Sequence, residues 1–423
     1  MDIEVGAIGA LIGLVLSIIL IFKDVKPFYA LFLGALAGGL LGGANLSETV
    51  SLMTSGAMGM VTSILRILAA GILAGVLIKS GAAESIAMSI VRLLGKQRAM
   101  LALILSAAIL TMVGVFIDIA IITVAPIGIE VAKQSGYSRT SILIAMIGGG
   151  KAGNLMSPNP NTIAVSDAFE VPLTNVMLAG IIPAIFGIVA AYFIANRLIN
   201  KGSFIGETEG LSENDSNEGV KLPALWKALS GPIVAIILLS LRPLFGIEID
   251  PMVALPAGGL VGVLVMGEIK NIIEYSSYGL DKMINVAIIL LGTGLIAGII
   301  TNSTLGAALI DLVGALGLPV YLLAPLSGIL MSGATASSTS GSAVASAVFS
   351  ETIIGAGILP LNGAAMVHAG ATVLDHMPHG SFFHATAGSV QMQFKERLSL
   401  IGFESIIGLV LTIVSVIVFG LLV

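Results

Sequence analysis

Cysteine is absent from the 423 residues, which rules out a disulfide framework and a thiolate metal site. Charge is almost as scarce. Asp, Glu, Lys and Arg make up 10% of the chain, against about 25% in a soluble domain. That is too little to coat a water-facing surface, so a soluble enzyme, a nucleic-acid binder and a disordered scaffold are excluded. The net charge of −5 says less than where the charges sit. No Lys or Arg precedes the apolar stretch 5–22, only Asp2 and Glu4. A cleavable signal needs a positive start, so this stretch reads as a first membrane span.

Apolar residues are what the chain has in abundance: 57%, with a mean hydropathy of +1.07. They come in runs of roughly 17–25 residues, the length of membrane-crossing helices, and lack the short alternating segments of a barrel. Gly is also frequent, at 52 residues; it lets helices approach closely and lets them break. Full-length runs fall at 5–22, 27–44, 56–79, 138–165, 175–198, 228–246, 251–267, 282–302, 360–390 and 398–422, which predicts ten crossings. Two further segments have limbs of only about 15 residues, short of the roughly 20 that span a bilayer. Residues 99–133 fold back at Gly114–Asp118, and 319–350 at Gly333–Ser342. Both read as re-entrant hairpins, because broken backbone at depth must be buried in protein or line a wet cavity.

The polar stretch 201–224, with Glu207, Glu209, Glu213, Asp215 and Glu218, reads as a solvated cytoplasmic linker between halves 1–200 and 225–423. The halves resemble each other at a spacing near 220 residues. Ala74-Gly75 falls on Ala297-Gly298, Ser80 on Ser303, Leu105-Ser106 on Leu326-Ser327, Ala152-Gly153 on Ala369-Gly370, and Pro160 near Pro378. The predicted fold is therefore an all-α integral membrane protein of two repeats. Each has five crossings and one hairpin, and the odd number turns the second repeat upside down. With the first loop cytoplasmic, sixteen of the 19 Lys and Arg lie inside, Arg242 alone lies outside, and Arg66 and Lys151 fall within spans, a strong positive-inside signal.

Such repeats place a carrier's site where broken helices meet at the midplane. Four segments are candidates. The first broken helix (138–165) contains Lys151, Asn154, Ser157, Pro158, Asn159, Pro160, Asn161 and Thr162. Its freed amides, with the Asn and Thr side chains, suit a carboxylate; the plain alternative is a kink. The second (360–390) holds all four His of the chain, with Asp375 beside His376, and His379 beyond Pro378. It suits substrate or proton handling, or simple helix capping. A metal on Asp375, His376 and His379 is the sharper alternative, but Pro378 interrupts the helical face and no HExxH is present. The second hairpin tip is a bed of hydroxyls, Thr335, Ser337, Ser338, Thr339, Ser340 and Ser342, suited to ligand oxygens, a Na⁺ shell or close packing. Asp118 is the polar group of the first tip, a candidate for proton coupling or for pairing with Lys151. Lys151 can neutralise Asp118, meet an anionic substrate or replace a coupling cation. Arg66 is a weaker candidate for substrate contact, and Glu404 reads as interfacial.

The segments GAAESIAMSIVRLLGKQRAMLALILSAAIL (81–110), VGVFIDIAIITVAPIGIEVAK (113–133) and SPNPNTIAV (157–165) resemble the gluconate permease family, GntP, of the wider ion-transporter superfamily. The resemblance runs over most of the chain and is strongest at 60–200. It implies proton-coupled import of a sugar acid or small hydroxy acid across the bacterial inner membrane. It also implies a homodimer of scaffold and transport domains moving as an elevator. The family's Pro/His/Gly-rich run is here Ser157–Thr162, whose last residues resemble the Ser-Asn-Thr signature of di- and tricarboxylate carriers. Asp118 stands where the family's tip carries a carboxylate. The coupling ion is thus H⁺ or Na⁺, with no other cofactor. A cation/proton antiporter and an intramembrane metal-dependent hydrolase are the alternatives.

The charge distribution puts both termini outside. Reporter fusions at either end should be active only for a periplasmic reporter; cytoplasmic activity at one end would break the topology.

Overall fold

The computed structural model describes residues 4–23, 25–95, 98–205, 222–317 and 319–422. The acidic residues of the expected linker lie outside these ranges. Helices and short turns account for the described residues, with two isolated bridges as the only β pairing among them. The first half runs α1 (Ala7–Phe22), α2 (Pro27–Leu41), α3 (Leu46–Gly59), α4 (Val61–Lys79), α5 (Ala82–Leu94), α6 (Ala99–Met112), α7 (Ile117–Ser135), α8 (Arg139–Asn154), α9 (Pro160–Ala168), α10 (Leu173–Ala179) and α11 (Ile181–Arg197). The second runs α12 (Leu225–Phe245), α13 (Pro251–Met266), α14 (Ile272–Thr301), α15 (Leu305–Ala315), α16 (Leu323–Thr335), α17 (Ser338–Gly355), α18 (Pro360–Gly370), α19 (Ser381–Ser389), α20 (Phe394–Leu398) and α21 (Ile401–Val416).

Five helical runs are long and apolar enough to cross a membrane: Leu46–Lys79, Leu173–Arg197, Leu225–Arg242, Ile269–Thr301 and Phe394–Leu422. Each overlaps an expected span. α1, α2 and α13 match three more but are 16, 15 and 16 residues long. The remaining two expected spans are the broken helices α8–α9 and α18–α19. Three elements escaped the apolar-run reading. α3 begins on a capping box, with Asn45 accepting from the Glu48 amide and Glu48 from the Asn45 amide. α5 and α15 follow α4 and α14.

Small residues let the two halves touch backbone to backbone. A Cβ on Gly279 of α14 would overlap the Gly71 carbonyl of α4, and one on Gly75 would overlap the Tyr275 carbonyl. The pairs matched between the halves mark such contacts. Gly153 of α8 abuts the Ala108 carbonyl of α6, and Gly370 of α18 abuts the Pro325 carbonyl of α16. Both broken helices are thus fixed against the first limb of a hairpin with no room for a side chain.

Gly153→Val should force α8 from α6 and cost about 1–3 kcal/mol or more of stability. Gly388→Ala, with open space around it, should be tolerated. Thermal unfolding of the two variants in detergent separates them.

Candidate functional site

The helix breaks are shorter than the sequence suggests. Gly148–Gly153 remain helical; α8 stops at Asn154 and α9 restarts at Pro160. Pro at the first helical position needs no amide partner, and Asn159 caps the restart. Its Oδ1 accepts from the Thr162 amide at 3.0 Å and from the Thr162 hydroxyl at 3.1 Å. Its Nδ2 donates to the Asn154 carbonyl at 2.8 Å, tying the two helix ends together. The second hairpin turns within two residues. Ala336 takes a left-handed φ of 47°, and Ser337 caps α17 by accepting from the Ser340 amide. Ser338, Thr339, Ser340 and Ser342 are therefore the opening turns of a helix, not a loop. In the first hairpin Gly114, at φ 104°, makes the turn, and Asp118 sits one residue inside α7.

These four segments meet around one cavity of about 440 Å³. On one wall four helices present their N-terminal turns to it: α7 through Ile117 and Asp118, α9 through Pro160 and Asn161, α17 through Ser338, Thr339 and Ser340, and α19 through Ser381 and Phe382. Asn154, Asn159, Thr335, Ser337, Asp375 and His379 complete that wall. The opposite wall is Pro27 of α2 and one stripe of α14: Lys282, Met283, Asn285, Val286 and Ile289. N-terminal turns carry partial positive charge and outward amides, so an arrangement of four favours an anion. Thr339 donates to Asn161 Oδ1 at 2.6 Å, joining hairpin tip to helix restart. The Asn161 amide nitrogen is buried and has no hydrogen-bond partner among the described residues.

Besides Ser342, which is fully buried in α17, four expected site residues lie outside the lining. Thr162 is buried and engaged by Asn159. Ser157 is fully buried, its hydroxyl without a partner among the described residues. Lys151 and His376 sit behind Asp375. The Lys151 ammonium is 2.6 Å from Asp375 Oδ1, 2.6 Å from the Thr372 carbonyl and 3.0 Å from His376 Nδ1. Lys151 thus pairs with the carboxylate of the other broken helix, not with Asp118, because α8 carries its side chain towards the 371–380 break.

His376 points on towards α21, with Nε2 3.0 Å from the Ile401 carbonyl and 3.2 Å from the Ser405 hydroxyl. Glu404 is fully buried in a two-pronged pair with Arg397, so it is not interfacial. The four His do not form a cluster. His379 lines the cavity with Nε2 3.1 Å from the Ala334 carbonyl, His384 is bonded to the Pro378 carbonyl, and His368 is buried in α18. Among the described residues no group of His, Asp and Glu could hold a metal. Arg66 lies away from the cavity, paired with Asp167 and, at 2.5 Å, with Asp250.

Lys282 was the residue missed. It stands at the edge of an apolar run and reads there as a loop charge, but α14 begins ten residues earlier and carries it into the wall.

Removing one partner of a buried ion pair strands the other. Lys151→Gln should cost about 3–5 kcal/mol of stability, and Lys151→Gln/Asp375→Asn should recover most of it. Thermal unfolding of the single and double variants checks this; no recovery would mean that the pair is not the stabilising contact.

The GntP family permease model matches residues 5–422. A Haemophilus influenzae protein named as an uncharacterized transporter is 59% identical over 98% of each chain. The low-affinity gluconate transporter of Escherichia coli K12 is 22% identical over 99% of this chain and 98% of its own. The Alcanivorax borkumensis YdaH transporter, a crystal structure of unusual topology, shares the fold with a TM-score of 0.67 at 16% identity, covering 96% of this chain and 98% of that one. A family match across nearly the whole length, a transporter fold and long apolar helices agree: the chain is a multi-pass membrane protein and belongs to the GntP family of permeases.

Proposed function

We propose that the protein is a secondary active carrier that imports a small organic anion, a sugar acid such as gluconate or another hydroxycarboxylate, together with protons or Na⁺. The observation that carries this reading is the convergence of four helix N-terminal turns on one cavity, with the Asn161 amide left as an unmatched donor. Carboxylate oxygens accept from that amide and from freed backbone N–H groups. Substrate hydroxyls exchange hydrogen bonds with Ser338, Thr339 and Ser340. The gluconate-transporting names of full-length relatives fit a ligand with both kinds of group.

The halves are read as inverted repeats whose hairpins, α6–α7 and α16–α17, enter the membrane and return. The repeated order of helices and the charge bias, 15 to 1 once Lys282 is moved from the loops into α14, support this reading. The cavity lies between α2 and α14 on one side and the hairpins and breaks on the other. That boundary suits an elevator, in which the second group slides past the first carrying its ligand. A homodimer would hold α2 and α14 still while it moves. The reading places the protein in the inner membrane with both termini outside. Asp118 is the coupling candidate within the cavity. Asp375, held by Lys151 and backed by His376, supplies charge compensation.

Asn161→Ala removes the unmatched donor and the tie to Thr339. Gluconate uptake in cells should fall by about tenfold or more, while membrane expression and melting temperature stay near wild type. Uptake at the wild-type rate would remove Asn161 from the site.

A further inference from the structure

The cavity holds one Lys or Arg among its lining residues, Lys282. It is carried by α14, on the wall opposite the hairpins and breaks, in a stripe with Asn285, Val286 and Ile289 that repeats at helical spacing. Its ammonium lies 5.4 Å from the Tyr278 ring centre and makes no ion pair within 4 Å among the described residues. The nearby carboxylates differ in status. Asp375 is already matched by Lys151 at 2.6 Å. Asp118 faces the same space from α7 and forms no ion pair of its own among the described residues. His379, the remaining titratable group of the lining, is bonded to the Ala334 carbonyl.

With Asp118 ionised, Lys282 and Asp118 balance, as do Lys151 and Asp375. A monoanion entering this state would leave one negative charge unmatched among the groups of the lining. A proton on Asp118 removes that excess and leaves Lys282 without a counter-charge. We infer that Lys282, on the wall that stays still, receives the substrate carboxylate in exchange for Asp118 as the ligand enters and gives it up when the hairpins move, so that one proton enters on Asp118 with each monoanion. The inference rests on the carrier reading above and adds to it the residue that couples proton to anion. The two charges never compete for empty space; they compete for the same ammonium.

The test is a double-variant cycle on the purified full-length protein, with binding of gluconate, lactate and citrate measured across pH. Lys282→Gln should weaken gluconate binding by about tenfold or more, and Lys282→Arg should recover most of the loss. Asp118→Asn should bind gluconate as tightly at high pH as the wild type does at low pH. At low pH, where Asp118 is protonated, Lys282→Gln should cost as much in the Asp118→Asn background as alone; at high pH it should cost more in that background, and at either pH it should leave binding of the uncharged analogue gluconamide unchanged. If the cost vanishes in the Asp118→Asn background, Lys282 serves only Asp118 and the inference fails. It fails equally if Lys282→Gln binds the anion as tightly as wild type, and in both cases the carrier reading stands. A wild type that binds none of the three anions overturns the carrier reading and the inference together.

Discussion

Every break in a buried helix strands backbone groups that the helix would have paired, and this chain makes two such breaks and two tight turns at one place. Much of its internal polarity serves that need. Asn159 closes the first break from both sides, Ser337 caps the helix after the second turn, Lys151 donates to the Thr372 carbonyl, and His379 meets the Ala334 carbonyl. Side chains that look like ligand donors in the sequence are therefore first of all supports of the backbone. What is left over after that service, the Asn161 amide and the ends of four helices, is what a ligand can use.

Charge is divided along the same lines. From Asp375 at the cavity wall inward, Lys151, His376, Glu404 and Arg397 continue a chain of contacts in which each full charge has an opposite neighbour. Such groups are costly to bury singly and tolerable together. The matched pairs tie α8 to the second break and α20 to α21, which holds the shape of the wall. In front, Lys282 and Asp118 stand apart across the space. The tight pairs join neighbouring helices, and Lys282 and Asp118 are left without a partner at ion-pair distance among the described residues.

Most of the architecture was legible in the sequence because the apolar period and span length are dictated by the bilayer. The positions of the two helix turns and two helix breaks were legible for a related reason: Gly, Pro and hydroxyl runs interrupt otherwise apolar helices. Eleven of the expected site residues do line the cavity. Thr162 does not, because Asn159 turns inward on its own helix start, a local bond that composition does not announce, and Ser157 does not because it is buried inside the break. Lys282 was missed because hydropathy marks where a run becomes apolar, not where the helix begins. α14 starts at Ile272, and its first ten residues are polar enough to pass for a loop. Glu404 looked interfacial for the same reason, since distance along a span says nothing about which side chain folds back to meet it.

The sequence by itself determined an all-helical membrane protein whose apolar helices are interrupted at four places by polar residues. Solvent leaves few alternatives: lipid demands long apolar helices, and breaks in them must be concentrated where protein can satisfy them. Tertiary structure alone decided which charges are partners. Lys151 meets Asp375 across 224 positions, and Lys282 faces Asp118 from another helix. Electrostatic pairing depends on separation in space, and that separation is set only when the glycine-lined helices close on each other.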